Sequence, residues 1–377
     1  MYVYERSGWP EFEWDSGKLE AALAEARNLQ GRIVGKMEAM GFNLQAHASL
    51  ENVVMDVVNS SEIEGEHLDT EEVRSSVARR LGMEYAGMVP SGRHVDGVVD
   101  MLLDATWHAS EPLTKERLWA WHRSLFSAKG KKIPSISVGK WRDDAVGRMQ
   151  VISGPFGSER VHFMAPPARY VDFEMSVFLD WFNATQSIDP VLKSGIAHLW
   201  FLAIHPFDDG NGRIARAVMD LMLARADGVS QRYYSMSNQI KEDRKGYYSI
   251  LEQTQKGSLD ITLWLEWYIH CFHAAIQTSS GVLFKVFEKN AFWLQVSGKS
   301  LNDRQVQMLN LLMDGFQGKL TTSKWALICK CSQDTANRDI HSLMEMGILV
   351  KQSAGGRSTS YRLKELPQPT SPFQTFS

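Results

Sequence analysis

Twelve residues, His205 to Arg216 (HPFDDGNGRIAR), constrain the fold of this 377-residue chain more than any other stretch. Ahead of them Asp189-Pro190 opens a helix, with the proline in the first turn where its missing N–H is harmless. The apolar run VLKSGIAHLWFLAI carries that helix to about Ile204. After them Ile214, Val218, Leu221 and Met222 recur at helical spacing, so a second helix runs from about Gly212 to Ala226. The stretch is thus a loop clamped between two helices, with His205 at the hand-over. Gly210 and Gly212 can take positive φ and let backbone N–H groups approach a ligand, and the new helix adds unpaired donors and the positive end of its dipole. Arg213 and Arg216 stand three apart and can close on the same polyphosphate. Asp208 and Asp209 suit an anion site once Mg²⁺ is included, because that ion is held by one or two carboxylates together with phosphate oxygens. His205, uncharged at neutral pH, can accept a proton from a nucleophile.

This stretch resembles the central motif of the Fic family, HPFxxGNGRxxR, and all eight specified positions are present. The resemblance implies transfer of a nucleoside monophosphate, typically AMP from ATP, onto a protein hydroxyl. By the same resemblance His205 is the base that deprotonates a target Ser, Thr or Tyr, Phe207 anchors the loop in the core, and Asp209 holds Mg²⁺. Gly210, Asn211 and Gly212 line the phosphates, with Asn211 on the α-phosphate, and Arg213 and Arg216 clamp the β and γ phosphates. Asp208 occupies a variable family position.

Composition sets the outer bounds. With 44% hydrophobic and 23% charged residues the chain reads as globular, with material for two or three domains. A formal net charge of -3 gives no global electrostatic case for nucleic acid or membrane. The amino terminus, MYVYERSGWPEFEWD, carries acids and no apolar run, and no stretch of about 18 apolar residues occurs. A soluble, cytoplasmic protein without membrane contact is the expectation. The three cysteines, Cys271, Cys329 and Cys331, are few and odd in number, which suits a reducing compartment, and Cys329-Lys330-Cys331 lacks the second pair a zinc site needs.

In chain order, Tyr2, Tyr4, Trp9, Phe12 and Trp14 make an aromatic segment expected to dock on the body of the protein, and Asp15 or Ser16 caps a helix that Gly41 ends. This part resembles the extension ahead of many Fic cores. A helix from about Leu44 to Ile63 then ends in SSEIEGEHL, where Ser60, Glu64 and Gly65 fit the family's inhibitory pattern [S/T]xxxE[G/N]. A carboxylate reaching Arg216 would occupy the fork meant for the γ phosphate, leaving ATP in an unproductive pose. Residues 66 to 110 read as further helices, with a loop from Gly87 to Gly97, and Leu113 to Phe126 as the helix that opens the core, with His122 a packing residue. Two β-prone runs, Met149 to Ser153 and Arg160 to Met164, flank Gly154-Pro155-Phe156-Gly157 and predict a hairpin. It resembles the Fic flap, which presents a target segment by strand pairing; Val151, Ile152, Ser153, Val161, His162 and Phe163 are its candidate residues. Arg169 to Asn183 is a helix with Phe173, Val177, Phe178 and Trp181 inward. Lys245 to Gln255 carries Tyr247 and Tyr248, either a wall of the adenine pocket or aromatic core. Asp260 to Phe284 is a long helix completing the core.

Beyond about residue 295, three short helices (Asp303 to Met313, TTSKWALIC, Ser332 to Met346) and a strand, Gly-rich turn and strand resemble a winged helix. Between Leu301 and Leu363 eight cationic and five acidic residues leave a net charge of +3. Winged helices often set their third helix in a DNA major groove, here with Thr335, Asn337, Arg338 and His341, and Arg357 on the wing; they also serve in protein docking and dimerisation.

The expected fold is mainly α: a Fic-type helical core with a β-hairpin flap, and a small winged-helix-like α+β domain. The expected division is 1–44 (aromatic segment and helix), 45–110 (inhibitory and connecting helices), 111–290 (catalytic core), 295–363 (winged-helix-like) and 364–377 (tail). The expected function is that of an autoinhibited adenylyltransferase using ATP and Mg²⁺; a related reading has Glu64 also position water for removal of AMP. Its partner is a target protein, or itself, met through the flap, and a homodimer is a family expectation. The alternative is a DNA-binding regulator, through residues 295–363, whose core senses nucleotide.

Overall fold

The computed structural model describes residues 1–38, 42–83, 87–126, 136–145, 147–155, 157–229, 231–313, 316, 318–352 and 359–364. The chain divides into two units, residues 1–83 with 89–279 and residues 84–88 with 280–377. The first holds α1 (Ser16–Glu38), α2 (Phe42–Ile63), α3 (Thr70–Arg80), α4 (Arg93–Trp107), α5 (Lys115–Phe126), the hairpin β1 (Gln150–Ser153) and β2 (Arg160–Met164), α6 (Val171–Asn183), α7 (Pro190–Ile204), α8 (Asn211–Asp227), α9 (Met236–Glu242), α10 (Arg244–Gln255) and the first part of α11 (Thr262–Val296). The fold is mainly helical, as expected, and among the described residues no helix is long and apolar enough to cross a membrane.

The pair α7 and α8 is the centre of this unit. Asp189 caps α7 by accepting from Val191 N, with Pro190 in the first turn as the sequence predicts. α7 is apolar on nearly every side and is buried on every side from Val191 to Ile204; its polar residues Lys193, Ser194 and His198 bond the Ala184 carbonyl, the Val191 carbonyl and the Tyr247 hydroxyl. α8 packs on α7 and also meets α4 and α5, while α6 covers α7 and α2 lies against α3, α4 and α9. The amino-terminal aromatics dock on this body. Trp9 and Phe12 meet Trp200 edge-on, and Tyr2 and Tyr4 meet Phe163 of the hairpin. Such rings each bury a large apolar area, which fixes a segment that has little regular structure of its own.

Three sequence expectations are corrected. Phe173 is not inward: it is 69% exposed, and the buried stripe of α6 is Val171, Met175, Phe178 and Phe182. The loop expected to reach Gly97 ends at Gly92, because Val95, Val98, Val99 and Leu102 already form the buried stripe of α4. The long helix expected to stop at Phe284 runs on to Val296, since no proline interrupts it before Gly298 at φ +89°.

The second unit holds the rest of α11, then α12 (Asp303–Met313), α13 (Thr322–Ile328), α14 (Gln333–Glu345) and the antiparallel pair β3 (Leu349–Lys351) and β4 (Tyr361–Leu363). Leu320 forms an isolated bridge to Tyr361. Its core gathers Phe292, Met308, Leu309, Trp325, Ile340, Leu343, Leu349 and Tyr361. Arg357 and the tail from 365 onward lie outside the described residues.

Candidate active site

The site is the turn between α7 and α8. α7 ends on His205, whose backbone is left-handed (φ 53°, ψ 62°), and α8 starts after Gly210 at φ 80°. A non-glycine residue in the left-handed region is held by its surroundings, and Arg142 does the holding. Its buried side chain donates from Nε to the His205 carbonyl at 2.8 Å, from Nη2 to the Pro166 carbonyl and from Nη1 to Asp144, while its N–H meets the Pro206 carbonyl at 3.0 Å. One guanidinium therefore ties the backbone of the α7–α8 turn to the base of the hairpin, where Ala165 N donates to the Met149 carbonyl.

The histidine side chain is set up as an acceptor. Nδ1 of His205 lies 3.3 Å from the Leu202 carbonyl, so its proton belongs there and Nε2 keeps its lone pair. Burial, with the Arg142 charge adding to it, brings the imidazole pKa down to about 4, which leaves it neutral at neutral pH. Phe207 is fully buried, stacked on His122 at 4.3 Å and packed against Trp141. His122 accepts from Gly139 N at Nδ1 and donates from Nε2 to the Asp209 carbonyl, so it shapes the loop. Asn211 is buried with its amide clasping Phe207 from both sides, Oδ1 accepting at 3.0 Å and Nδ2 donating at 2.8 Å, which leaves one amide hydrogen. Asp208 accepts from Ser137 N, and Asp209 is exposed with one oxygen on Gly210 N. Among the described residues no group of three or more His, Cys, Asp or Glu is gathered as a metal centre.

Arg213 and Arg216 sit on the first turns of α8 and are 6% and 1% exposed. The end of α2 comes to meet them. Gly65 N donates to the Glu62 carbonyl and Glu66 N to the Ser61 carbonyl, with Gly65 at φ +80°, the paired bonds of a Schellman motif. Glu64 and Glu66 therefore flank a left-handed glycine, and each carboxylate finds a different arginine. Arg216 donates from Nη2 to Glu64 Oε1 and to the Ser60 carbonyl, both at 2.8 Å, and from Nε to Ser60 Oγ at 2.9 Å. Arg213 Nη1 donates to Glu66 Oε2 at 2.5 Å. Burial pulls the Arg216 pKa down, and the Glu64 carboxylate more than compensates, holding it above the ordinary value. Gly212 makes room for this contact, since a Cβ there would stand 2.0 Å from Glu64 Oε1. Two buried guanidinium nitrogens, Arg213 Nε and Arg216 Nη1, have no hydrogen-bond partner.

The tyrosine pair divides. Tyr247 is core: it is buried, and its hydroxyl meets His198 Nε2 at 2.9 Å. Tyr248 is 39% exposed, with its hydroxyl 3.4 Å from the Ile63 carbonyl, so of the two it alone borders open space near α2. In the hairpin Val151 pairs with Phe163 and Ile152 with Val161, across an irregularity between Val151 and Ile152. Phe163 is buried, whereas Ile152 and Val161 are 53% and 37% exposed. His162 is held at 2.6 Å by Glu252 of α10 and at 2.6 Å by Ser153.

Sequence reasoning missed Glu66 and Arg142. The signal for Glu66 is a second acid just past the helix-ending glycine. For Arg142 no local pattern exists, because its partners are carbonyls of distant residues.

Residues 112–223 match the Fic/DOC family and residues 2–83 match a domain of unknown function, DUF4172. The chain is 31% identical over 128 residues to protein adenylyltransferase fic-1 of Caenorhabditis briggsae, a stretch that is 32% of this chain and 24% of that protein. It is 26% identical over 223 residues to protein adenylyltransferase Fic of Culex quinquefasciatus, 56% of this chain and 39% of that protein. The chain thus spans less than half the length of these relatives. Among solved structures, a Fic family protein from Desulfovibrio desulfuricans G20 shares the fold over 92% of this chain and 97% of that one (TM-score 0.53, 21% identity). A Fic domain containing signaling protein from Bacteroides thetaiotaomicron does so over 68% and 95% (TM-score 0.51, 18% identity).

Proposed function

Residues 112–223 of this chain are a Fic/DOC family domain, and from that premise we propose that the protein is an adenylyltransferase that its own α2 turn holds inactive. The observation that carries the reading is a pair of buried arginines on the first turns of α8, each with a guanidinium nitrogen lacking a partner, beside a neutral histidine on the same loop. An unpaired buried donor costs about 1–3 kcal/mol, more when charged. A polyphosphate would satisfy both nitrogens, and the exposed Asp209 would hold Mg²⁺ together with phosphate oxygens, where the ion offsets phosphate charge.

In the reaction the hydroxyl oxygen of the target attacks the α-phosphorus, the bond from that phosphorus to the bridging oxygen breaks, and pyrophosphate leaves. The hydroxyl proton passes to Nε2 of His205. That lone pair is available throughout the neutral range because burial keeps the imidazole uncharged. The backbone donors of the Gly210 to Gly212 turn and the two arginines then face charge that builds on the leaving group. The exposed Ile152–Val161 pair on the hairpin suits a target strand lying alongside, with backbone hydrogen bonds supplying affinity.

Inactivity in this reading comes from two carboxylates. Glu64 on Arg216 and Glu66 on Arg213 take the donors that the terminal phosphates need. The test is incubation of the purified full chain with Mg²⁺ and α-labelled ATP, in buffer and in a host lysate, for wild type, Glu64→Gly and Glu64→Gly/His205→Ala. Labelling is expected to rise with the first change and vanish with the second. Equal labelling in all three overturns both the activity and the inhibition.

A further inference from the structure

The second unit presents a helix, a tight turn and a second helix with one polar face uncovered. Thr321 caps α13 by accepting from Lys324 N, and Ser332 caps α14 by accepting from Thr335 N. Between them Cys331 N donates to the Ala326 carbonyl and Lys330 sits in the left-handed region at φ 48°, which turns the chain sharply from one helix into the next. Trp325 of α13 and Ala336, Ile340 and Leu343 of α14 go into the core. Gln333, Asp334, Asn337, Arg338, His341 and Glu345 are left exposed along three turns of α14.

We propose that this face reads duplex DNA, with α14 in the major groove. A helix of this width fits that groove, and in helix-turn-helix proteins the second helix lies there with its amino-terminal half against the bases. Asn337 and Arg338 stand in that half. Their side chains are the types that pair bidentately with adenine and guanine edges, and Arg338 makes no ion pair or hydrogen bond among the described residues. The charge around them matches a phosphate backbone. Between Lys319 and Lys364 the described residues carry seven cations and three carboxylates; Asp339 is buried against Arg304, while Asp334 and Glu345 lie at the two ends of the exposed face of α14, so the excess of cations comes from the residues around that helix. Lys330 at the turn and Lys351 at the end of β3 are both exposed. A protein partner is the poorer fit, because α14 has no exposed large apolar side chain and α13 has one, Leu327 at 78%, too little for the desolvated centre of such an interface.

The experiment uses the full chain and a randomised duplex pool. Bound duplexes are selected over several rounds, then the enriched sequence and a scrambled duplex are measured by fluorescence anisotropy from about 50 to 200 mM salt. One enriched sequence is expected, with affinity falling about a hundredfold over that range, as neutralisation of about four phosphates requires. Arg338→Ala and Asn337→Ala should each weaken the enriched duplex about 10- to 100-fold and the scrambled one little. Lys330→Gln should weaken both alike and lower the salt slope by about one. Circular dichroism checks that the variants are folded, and none of the changed residues is buried. Absence of enrichment with no binding at the lowest salt overturns the proposal, as does binding indifferent to both Arg338 and Asn337. So does a protein that needs these residues and excludes DNA. His205→Ala should bind the duplex like wild type, so this proposal and the transferase reading fail separately.

Discussion

Under the proposed function, the pair of carboxylates at the end of α2 makes a quantitative prediction about how the inhibited state is released. Removing Glu64 frees Arg216 from one partner but leaves Arg213 bonded to Glu66 at 2.5 Å, with side-chain exposures of 7% and 30%. A hydrogen bond between charged groups contributes about 1.5–3 kcal/mol, and the partly open position of Glu66 places this one nearer 1–2 kcal/mol. In that reading ATP must displace this bond before its phosphates can use Arg213. At 1.4 kcal/mol per tenfold, Glu66→Gln in a Glu64→Gly background should lower the KM for ATP about 5- to 30-fold. The kcat should stay the same within about twofold, because the proton transfer at His205 is untouched. The assay is initial-rate labelling with α-labelled ATP over a range of concentrations, backed by calorimetry of ATP binding to Glu64→Gly/His205→Ala with and without Glu66→Gln. Equal KM values in the two backgrounds would refute the reasoning. A higher KM in the doubly changed protein would do so too, since it would mean that Glu66 orients Arg213 for phosphate.

Two further outcomes follow from buried groups. Arg142→Lys keeps the charge but cannot reach the His205 and Pro166 carbonyls and Asp144 together, so the loop should relax; in the Glu64→Gly background kcat should drop about a hundredfold, with the KM for ATP within about threefold, and an unchanged kcat removes Arg142 from its positioning role. Asp56 of α2 is fully enclosed beside Asp220 and Arg232, with Asp227 also near that arginine, and burial followed by the Asp220 charge raises its pKa to about 7. Because the folded-state value lies above the unfolded one, near 3.9, stability is fullest below about pH 4 and is lost as pH rises through about 7. Asp56→Asn should therefore flatten the fall in urea stability between pH 5 and pH 8; the same slope in both proteins contradicts the assignment.

Local chemistry in the sequence determined a good deal. The proline-opened apolar α7, the glycine-framed turn, the arginines of α8, the hairpin and the short elements from Asp303 onward all follow from periodicity, caps and turn residues, which act over a few positions. Ser60, Glu64 and Gly65 were legible as a pattern next to Arg216 only because a resemblance linked the two. Tertiary structure alone decided the rest. Glu66 reaches Arg213 across 147 positions of chain and Arg142 reaches the His205 carbonyl across 63. Tyr247 went to the core while its neighbour stayed half open, and Phe173 turned outward although its spacing allowed either face. In each case the deciding partner is a group that the chain brings close only by folding, often a backbone carbonyl, which every residue carries and no sequence distinguishes. The sequence therefore contains the glycine-framed turn and its two arginines, and the packing of α2 against them determines which of their donors are occupied.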